Sequence, residues 1–420
     1  MTVLTYRGLP CWFATLLLVI SFAAMNCTAQ EPRDSDNKPL KVFILAGQSN
    51  MQGHAHVRTI EAMRLNAKAA PLLDRMLNAD GRYRTCEKTW ISSIGSSNEE
   101  KTGRLTVGFG ASANGPKIGP EFMFGLAMES MLDEPILIIK TAWGGKSLHT
   151  DFRPPSAGAY EFNDAQLATI KKQGKDIEQI KTEKASATGY YYRLMRDHVK
   201  SVLANISRVH PDYDAERGYE LAGFVWFQGW NDMVDGGAYP DRNRPGGYDE
   251  YSHLLSQFIR DVRSDFDAPE LPFVIGVMGV NGATSQYGPE QQRYKAVHQN
   301  FRDAMAAPVK TAKPAGSVVA VLTEEYWDAE AADLRRREKS IKPNVDKVKA
   351  AMKQNLIRRD EGEAKIEMIY AGAFDERELQ ILRTSTSNFE FHYMGSAGIM
   401  AQIGNGFAEA MARMIQQPVP

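Results

Sequence analysis

Five short apolar runs punctuate the chain, and most end on glycine or a polar pair. They are residues 41–46 (KVFILA), 135–141 (PILIIKT), 221–227 (LAGFVWF), 271–278 (LPFVIGVM) and 317–322 (SVVAVL). Runs this short, apolar at successive positions, predict strands covered on both faces. Between them the apolar residues recur at helical spacing. Residues 121–131 place Phe122, Phe124, Leu126 and Met128. Residues 190–206 place Tyr192, Met195, Val199 and Val202, and residues 248–262 place Tyr251, Leu254, Leu255, Phe258 and Ile259. Residues 396–415 place Ile399, Ile403, Phe407, Met411 and Ile415. Alternation of this kind predicts an α/β domain whose open, mainly parallel sheet carries helices on both faces. Ligands of such folds collect beyond the carboxyl ends of the strands. Two segments, 168–184 and about 329–365, are rich in charge and poor in apolar residues. They predict solvated helical insertions.

Composition adds little to this picture and removes some classes. The 420 residues carry 50 basic and 51 acidic side chains, a net charge of -1, which gives no electrostatic case for nucleic acid. The beginning of the chain differs from the rest. Arg7 precedes an apolar run over 12–25, and Cys27-Thr28-Ala29 supplies small residues before Gln30. The run is too short for a membrane span and reads as a secretory signal peptide over 1–29, followed by a polar linker over 30–39 and a single domain over 40–416. The expectation is a secreted or periplasmic protein; a lipid anchor at Cys27 is the lesser reading. Cleavage would leave Cys86 alone among three cysteines, so no intrachain disulfide is expected.

Chemistry gathers where the strands end. Ser49, in Gly47-Gln48-Ser49-Asn50-Met51, stands at a strand-to-helix turn, where it could serve as a nucleophile or cap a helix. Trp143-Gly144-Gly145-Lys146-Ser147 invites a phosphate-loop reading. That motif needs glycine where Lys140 stands, so the segment reads as a turn that lets backbone N–H groups approach a ligand. In Trp226-Phe227-Gln228-Gly229-Trp230-Asn231-Asp232 the Gln228 amide could face a developing oxyanion, and Asp232 could be a working carboxylate or a helix cap. His392, just before the last helix, could act as a general base. His54 and His56 have metal-ligand spacing without a third ligand cluster, and loop contacts near the pocket are the favoured reading.

GQSNMQG, GPEFMFG, AWGGKSL, WFQGWND and the late histidine, in this order, resemble the SGNH hydrolase superfamily. Within it the sequence is most similar to the sialate O-acetylesterase and acetylxylan esterase branch, carbohydrate esterase family six. The resemblance implies a three-layer α/β/α fold with a flavodoxin-like, mainly parallel five-stranded sheet. It implies a serine esterase acting on O-acetylated carbohydrates with no cofactor and no metal. Ser49 would attack the ester, His392 would take its proton, and an acyl-enzyme would follow. The oxyanion would lie among the Ser49 N–H, Gly144, Gly145 and Gln228. Gln48, Asn50, Trp143, Trp230 and Asn231 would contact the sugar.

The sequence departs from the family pattern twice. Phe389 stands where the family places an aspartate three residues before the histidine, and Trp230 stands where it places a glutamate after the QG pair. Asp232 is the favoured partner to orient His392, with Glu390 and Asn388 as alternatives. The same departures motivate a competing reading, a carbohydrate-binding protein that kept the fold without the chemistry. A short-chain lipase or thioesterase is the third.

Overall fold

The computed structural model describes Val3 and residues 38–416, so the expected signal peptide and most of the linker lie outside the described residues. In chain order the strands are β1 (Leu40–Gly47), β2 (Ala55–His56), β3 (Thr89–Gly95), β4 (Lys101–Arg104), β5 (Lys117–Ile118), β6 (Ile136–Ala142), β7 (Tyr219–Phe227), β8 (Phe273–Val277) and β9 (Val318–Leu322). Seven of them form one sheet in the order β4-β3-β6-β1-β7-β8-β9, and β2 pairs with β5 apart from it. All neighbours in the large sheet run parallel except β3 and β4.

The five expected strands are all present, and their order β6-β1-β7-β8-β9 is the flavodoxin-like 2-1-3-4-5. The sheet has seven strands rather than five because β3 and β4 escape the apolar-run criterion. In β3 (TWISSIG) Ser92 is buried, its hydroxyl bonded to Glu100 and His198, so polar residues fill core positions. The strand β4 (KTGR) is a charged, exposed edge, which suits a position where further pairing must be prevented.

Register shows how the helices divide between the two faces. Ile44 lies opposite Phe224, and Phe43 lies opposite Gly223. Phe224 meets Phe258 of the helix Asp249–Asp265, which in turn meets Tyr192 of the helix Tyr190–Ala204. On the other face Phe43 meets Phe124 of the helix Pro120–Met131, and Gly223 lies under Met411 of the helix Ala397–Gln416. Those last two helices touch each other through Gly404, where a Cβ would come within 2.3 Å of the Pro120 carbonyl.

Chain reversal on the two sides of β1 opens a crevice at its carboxyl end. The charged insertion is longer than expected. It forms three helices, Ala329–Lys353, Arg359–Ala373 and Glu376–Thr384. The segment around 168–184 forms the helices Asp164–Lys172 and Ile177–Ala187, neither with a buried residue. Among the described residues no helix is long and apolar enough to cross a membrane.

Candidate active site

Gly47 ends β1 where its Cβ would come within 2.1 Å of the Phe227 carbonyl, so only glycine fits. This close approach joins the first motif to the third. Gln48 strengthens the join: its Oε1 accepts from the Gly229 N–H at 3.0 Å, and its Nε2 donates to Asn231 Oδ1 at 3.2 Å. Ser49 then opens the four-residue helix Ser49–Gln52. Its hydroxyl caps nothing, and the N–H groups of this first turn have no intrahelical acceptor.

His392 reaches the same place from the other end of the chain. Its loop makes a tight turn in which Tyr393, Met394 and Gly395 all take left-handed backbone conformations, with φ of 51°, 58° and 58°. Two non-glycine residues there are costly, and the surroundings hold them in place. The N–H groups of Ser387 and Asn388 both donate to the Met394 carbonyl. The buried Tyr393 hydroxyl accepts from the Gly279 N–H at 2.8 Å and bonds Thr323 at 2.6 Å.

Ser49 and His392 line one pocket of about 560 Å³, with Gln48, Gln52, His54, Gly144, Gly145, Trp230 and Asn231 among the lining residues. The Ser49 helix and the His392 loop are in contact. No direct hydrogen bond joins the two side chains, and such pairs are often loose without substrate.

Asn388 is the partner of His392. Its Oδ1 accepts from the Phe389 N–H at 2.8 Å and lies 3.0 Å from His392 Nδ1. The backbone donor fixes which end of the amide faces the ring. An oxygen there requires the proton on Nδ1, which leaves the Nε2 lone pair free.

A second imidazole, His54, stacks on His392 with ring centroids 3.9 Å apart and planes within 3°, while Phe391 meets the ring edge-on at 4.5 Å. Burial pulls the pKa of His392 down to about 4. For His54 burial, aided by His392, Lys117 and Lys140, lowers it to about 3. Both rings are therefore neutral at ordinary pH. Because these pKa values lie below the unfolded value near 6.5, the unfolded chain binds more protons between those limits. Stability should fall as pH drops from about 6.5 towards 3.

The favoured carboxylate stands elsewhere. The structure does not bring Asp232 to His392: the fully buried carboxylate accepts from the N–H groups of Leu148 (2.8 Å) and His149 (3.0 Å), from Gln228 Nε2 (2.6 Å) and from the Tyr239 hydroxyl (3.1 Å). It braces the glycine turn. Gln228 is likewise unavailable as an oxyanion donor, since its two amide hydrogens go to Asp232 and to the Lys146 carbonyl. Glu390 pairs with Lys339 and Arg335 of the insertion.

Other expected contacts divide as well. Asn50 and Trp143 are buried and do not reach the pocket; Trp143 packs against Phe152 and Tyr191. Gln48, Trp230 and Asn231 do line it. The Gly144 N–H points to Ser96 Oγ at 3.1 Å, and that hydroxyl donates to Gln52. Ser96, Ser97 and Ser112 also line the pocket and carry no motif; the signal for Ser96 and Ser97 is the serine-rich stretch at the end of β3, and Ser112 has none. His54 reaches the pocket, whereas His56 Nδ1 accepts from the Arg58 N–H. Among the described residues no cluster could hold a metal ion.

A hydroxyl and an imidazole at the carboxyl edge of a doubly wound α/β/α sheet are groups suited to ester hydrolysis. The chain belongs to the carbohydrate esterase family described as sialic acid-specific acetylesterase, whose model matches residues 39–319. It is thus a carbohydrate O-acetylesterase by family. His392 lies beyond the matched stretch. No curated protein matches the chain. Two solved structures are similar at a TM-score of 0.35. One is a protein from Arabidopsis thaliana, 15% identical over 68% of this chain and 86% of that one. The other is a carbohydrate acetylesterase from Xanthomonas citri, 12% identical over 67% of this chain and 49% of that one.

Proposed function

We propose that the chain, exported by the leader over 1–29, hydrolyses O-acetyl esters on carbohydrates through an acyl-enzyme on Ser49. The reading rests above all on one observation: Ser49 and His392 share a pocket, and Asn388 Oδ1 lies 3.0 Å from His392 Nδ1. His392 removes the serine proton as the hydroxyl oxygen attacks the acetyl carbonyl. The tetrahedral oxyanion meets the N–H groups of Ser49 and Gly145 and the side-chain amide of Asn231. Asn231 takes the place expected of Gln228 because its oxygen is already held by Gln48, which leaves its NH₂ available. His392 returns the proton to the leaving sugar hydroxyl. Water then cleaves the acyl-enzyme by the same route.

The test is acetate release against pH. The base must be neutral, so kcat/KM should be flat above about pH 5 and fall about tenfold per unit below about 4. An acid limb near 6.5 would contradict the buried, neutral imidazole. Absence of acetate release from any O-acetylated glycoside would end the reading.

The amide partner makes a separate prediction. Asn388→Ala removes the acceptor that aims His392 and should lower kcat on the order of 10²-fold, the usual cost of a misplaced group. Asn388→Asp keeps an oxygen towards Nδ1 and adds a charge that favours the imidazolium. The acid limb should then move up by about a unit or more. A limb that stays in place would show that position 388 does not face the working ring.

A further inference from the structure

An aromatic ridge rises from the mouth of the pocket, its inner end, Trp230, packed against the core and its outer end, Phe389, in solvent. Trp230 and Phe391 line the pocket, with ring centroids 5.6 Å apart. Phe389 lies outside it, 5.3 Å from Phe391 and within 14° of parallel. Phe389 is 62% exposed, whereas nearly every other phenylalanine described is buried or half-buried. Solvated aromatic rings continuous with a pocket mark a place where ligand surface is covered. The wall around this pocket is different in character. It carries the hydroxyls of Ser96, Ser97 and Ser112 and the amides of Gln48, Gln52 and Asn231. Its only aliphatic side chains are those of Ala111 and Ala113.

Charge is the third observation. Among the described residues the lining holds no Lys, Arg, Asp or Glu. The nearby ammonium groups are already committed. Lys117 donates to the carbonyls of Ala111, Ala113 and Gly115. Lys140 is paired with Glu121 at 2.7 Å, and Lys146 lies 3.7 Å from Asp151 and over the ring of Tyr191. A sugar carboxylate entering here would lose its water and gain no cation, which is a costly exchange. An acyl chain lying on the rings would find only Ala111 and Ala113 as further apolar side chains to cover it.

We propose that Trp230, Phe391 and Phe389 form a subsite for a chain of uncharged pyranose units extending beyond the acetylated one. This rests on the esterase reading above and names the substrate class for that same site. A pyranose ring matches both surfaces at once. Its C–H face lies on an aromatic ring, and its hydroxyl rim meets the serines and amides. The acetylated unit sits over Ser49, and the next units pass along Phe391 to Phe389. An N-acetylated, carboxylate-bearing nonulose such as sialic acid is disfavoured.

The experiment compares three O-acetylated substrates: a xylotetraose, a methyl xyloside and a sialic acid. With the wild-type chain, kcat/KM for the tetraose should exceed that for the methyl glycoside by about tenfold or more, carried by KM, with the sialic acid slowest. Phe389→Ala should raise KM for the tetraose far more than for the methyl glycoside. Phe389→Trp should restore the difference. Equal losses on both substrates, falling on kcat, would mean that Phe389 merely props the His392 loop and would overturn the subsite. Preference for the sialic acid would overturn the uncharged class. Calorimetric titration of the Ser49→Ala variant with unacetylated xylotetraose separates the two readings. Chain binding that Phe389→Ala weakens, without acetate release by the wild type, upholds the ridge and removes the esterase. Acetate release with no chain binding does the reverse.

Discussion

Ser49→Ala is expected to lower kcat on an acetate ester by about four orders of magnitude or more, with KM changed by less than about threefold. The size follows from the place of this side chain. A serine at the start of a helix ordinarily caps it, and removing a cap costs about 1 kcal/mol of stability. Here the cap position is Gln48, and the Ser49 hydroxyl makes no capping bond. The tether between the first and third motifs also belongs to Gln48, through Gly229 and Asn231. Alanine therefore leaves the local fold intact and removes only the hydroxyl proposed to attack. A fluorophosphonate should label the wild-type chain once, at Ser49, and leave the variant unlabelled, while the two melt together. His392→Ala should cost about as much, and the double change little more, because the pair acts as a unit. Equal turnover by wild type and Ser49→Ala would remove the covalent mechanism and revive the carbohydrate-binding alternative.

The sheet and its central order could be read from the apolar runs because parallel strands are covered on both faces. The runs that became β1, β6, β7, β8 and β9 are continuous for that reason. The strand β3 could not be read that way, since Ser92 pays for its buried position with bonds to Glu100 and His198, contacts that only the fold creates. The site divides in the same manner. Ser49 and His392 lie at strand-to-helix and loop-to-helix junctions that a sequence exposes. The orienting group did not follow from motif position: Asp232 occupies the matching place, yet it faces the backbone of Leu148 and His149. Asn388 is the side chain that meets His392 Nδ1 because three left-handed residues, Tyr393, Met394 and Gly395, fold the loop back on itself, and such a turn leaves little trace in residue types. Stacking of His54 on His392 joins residues 338 positions apart and is likewise a product of tertiary structure.

Glu121→Ala should be the most destabilising single change near the site, at about 3–5 kcal/mol, because it strands a charge in the core. Lys140 on β6 and Glu121 at the start of the helix Pro120–Met131 are both almost wholly inaccessible and meet at 2.7 Å. Burial pulls the pKa of the Lys140 ammonium down, and Glu121 opposes that shift. The ammonium also donates to the carbonyls of Gln52 at 2.8 Å and Phe109 at 3.0 Å, and Glu121 accepts from the Gly119 N–H at 2.9 Å. Gln52 is the last residue of the helix that Ser49 opens. Urea unfolding of Glu121→Ala should show a much lower midpoint at an unchanged slope. Exchanging both residues for apolar ones, Glu121→Leu with Lys140→Met, removes the stranded charge and should recover much of the lost stability. Turnover should not recover with it, because the Gln52 carbonyl then has no donor and the short helix carrying Ser49 loses its anchor. Recovery of both together would mean that the ion pair only fills the core. Recovery of stability alone would show that a charged lysine is kept beneath the nucleophile for the hydrogen bonds that hold its helix, a task no hydrocarbon of the same volume performs.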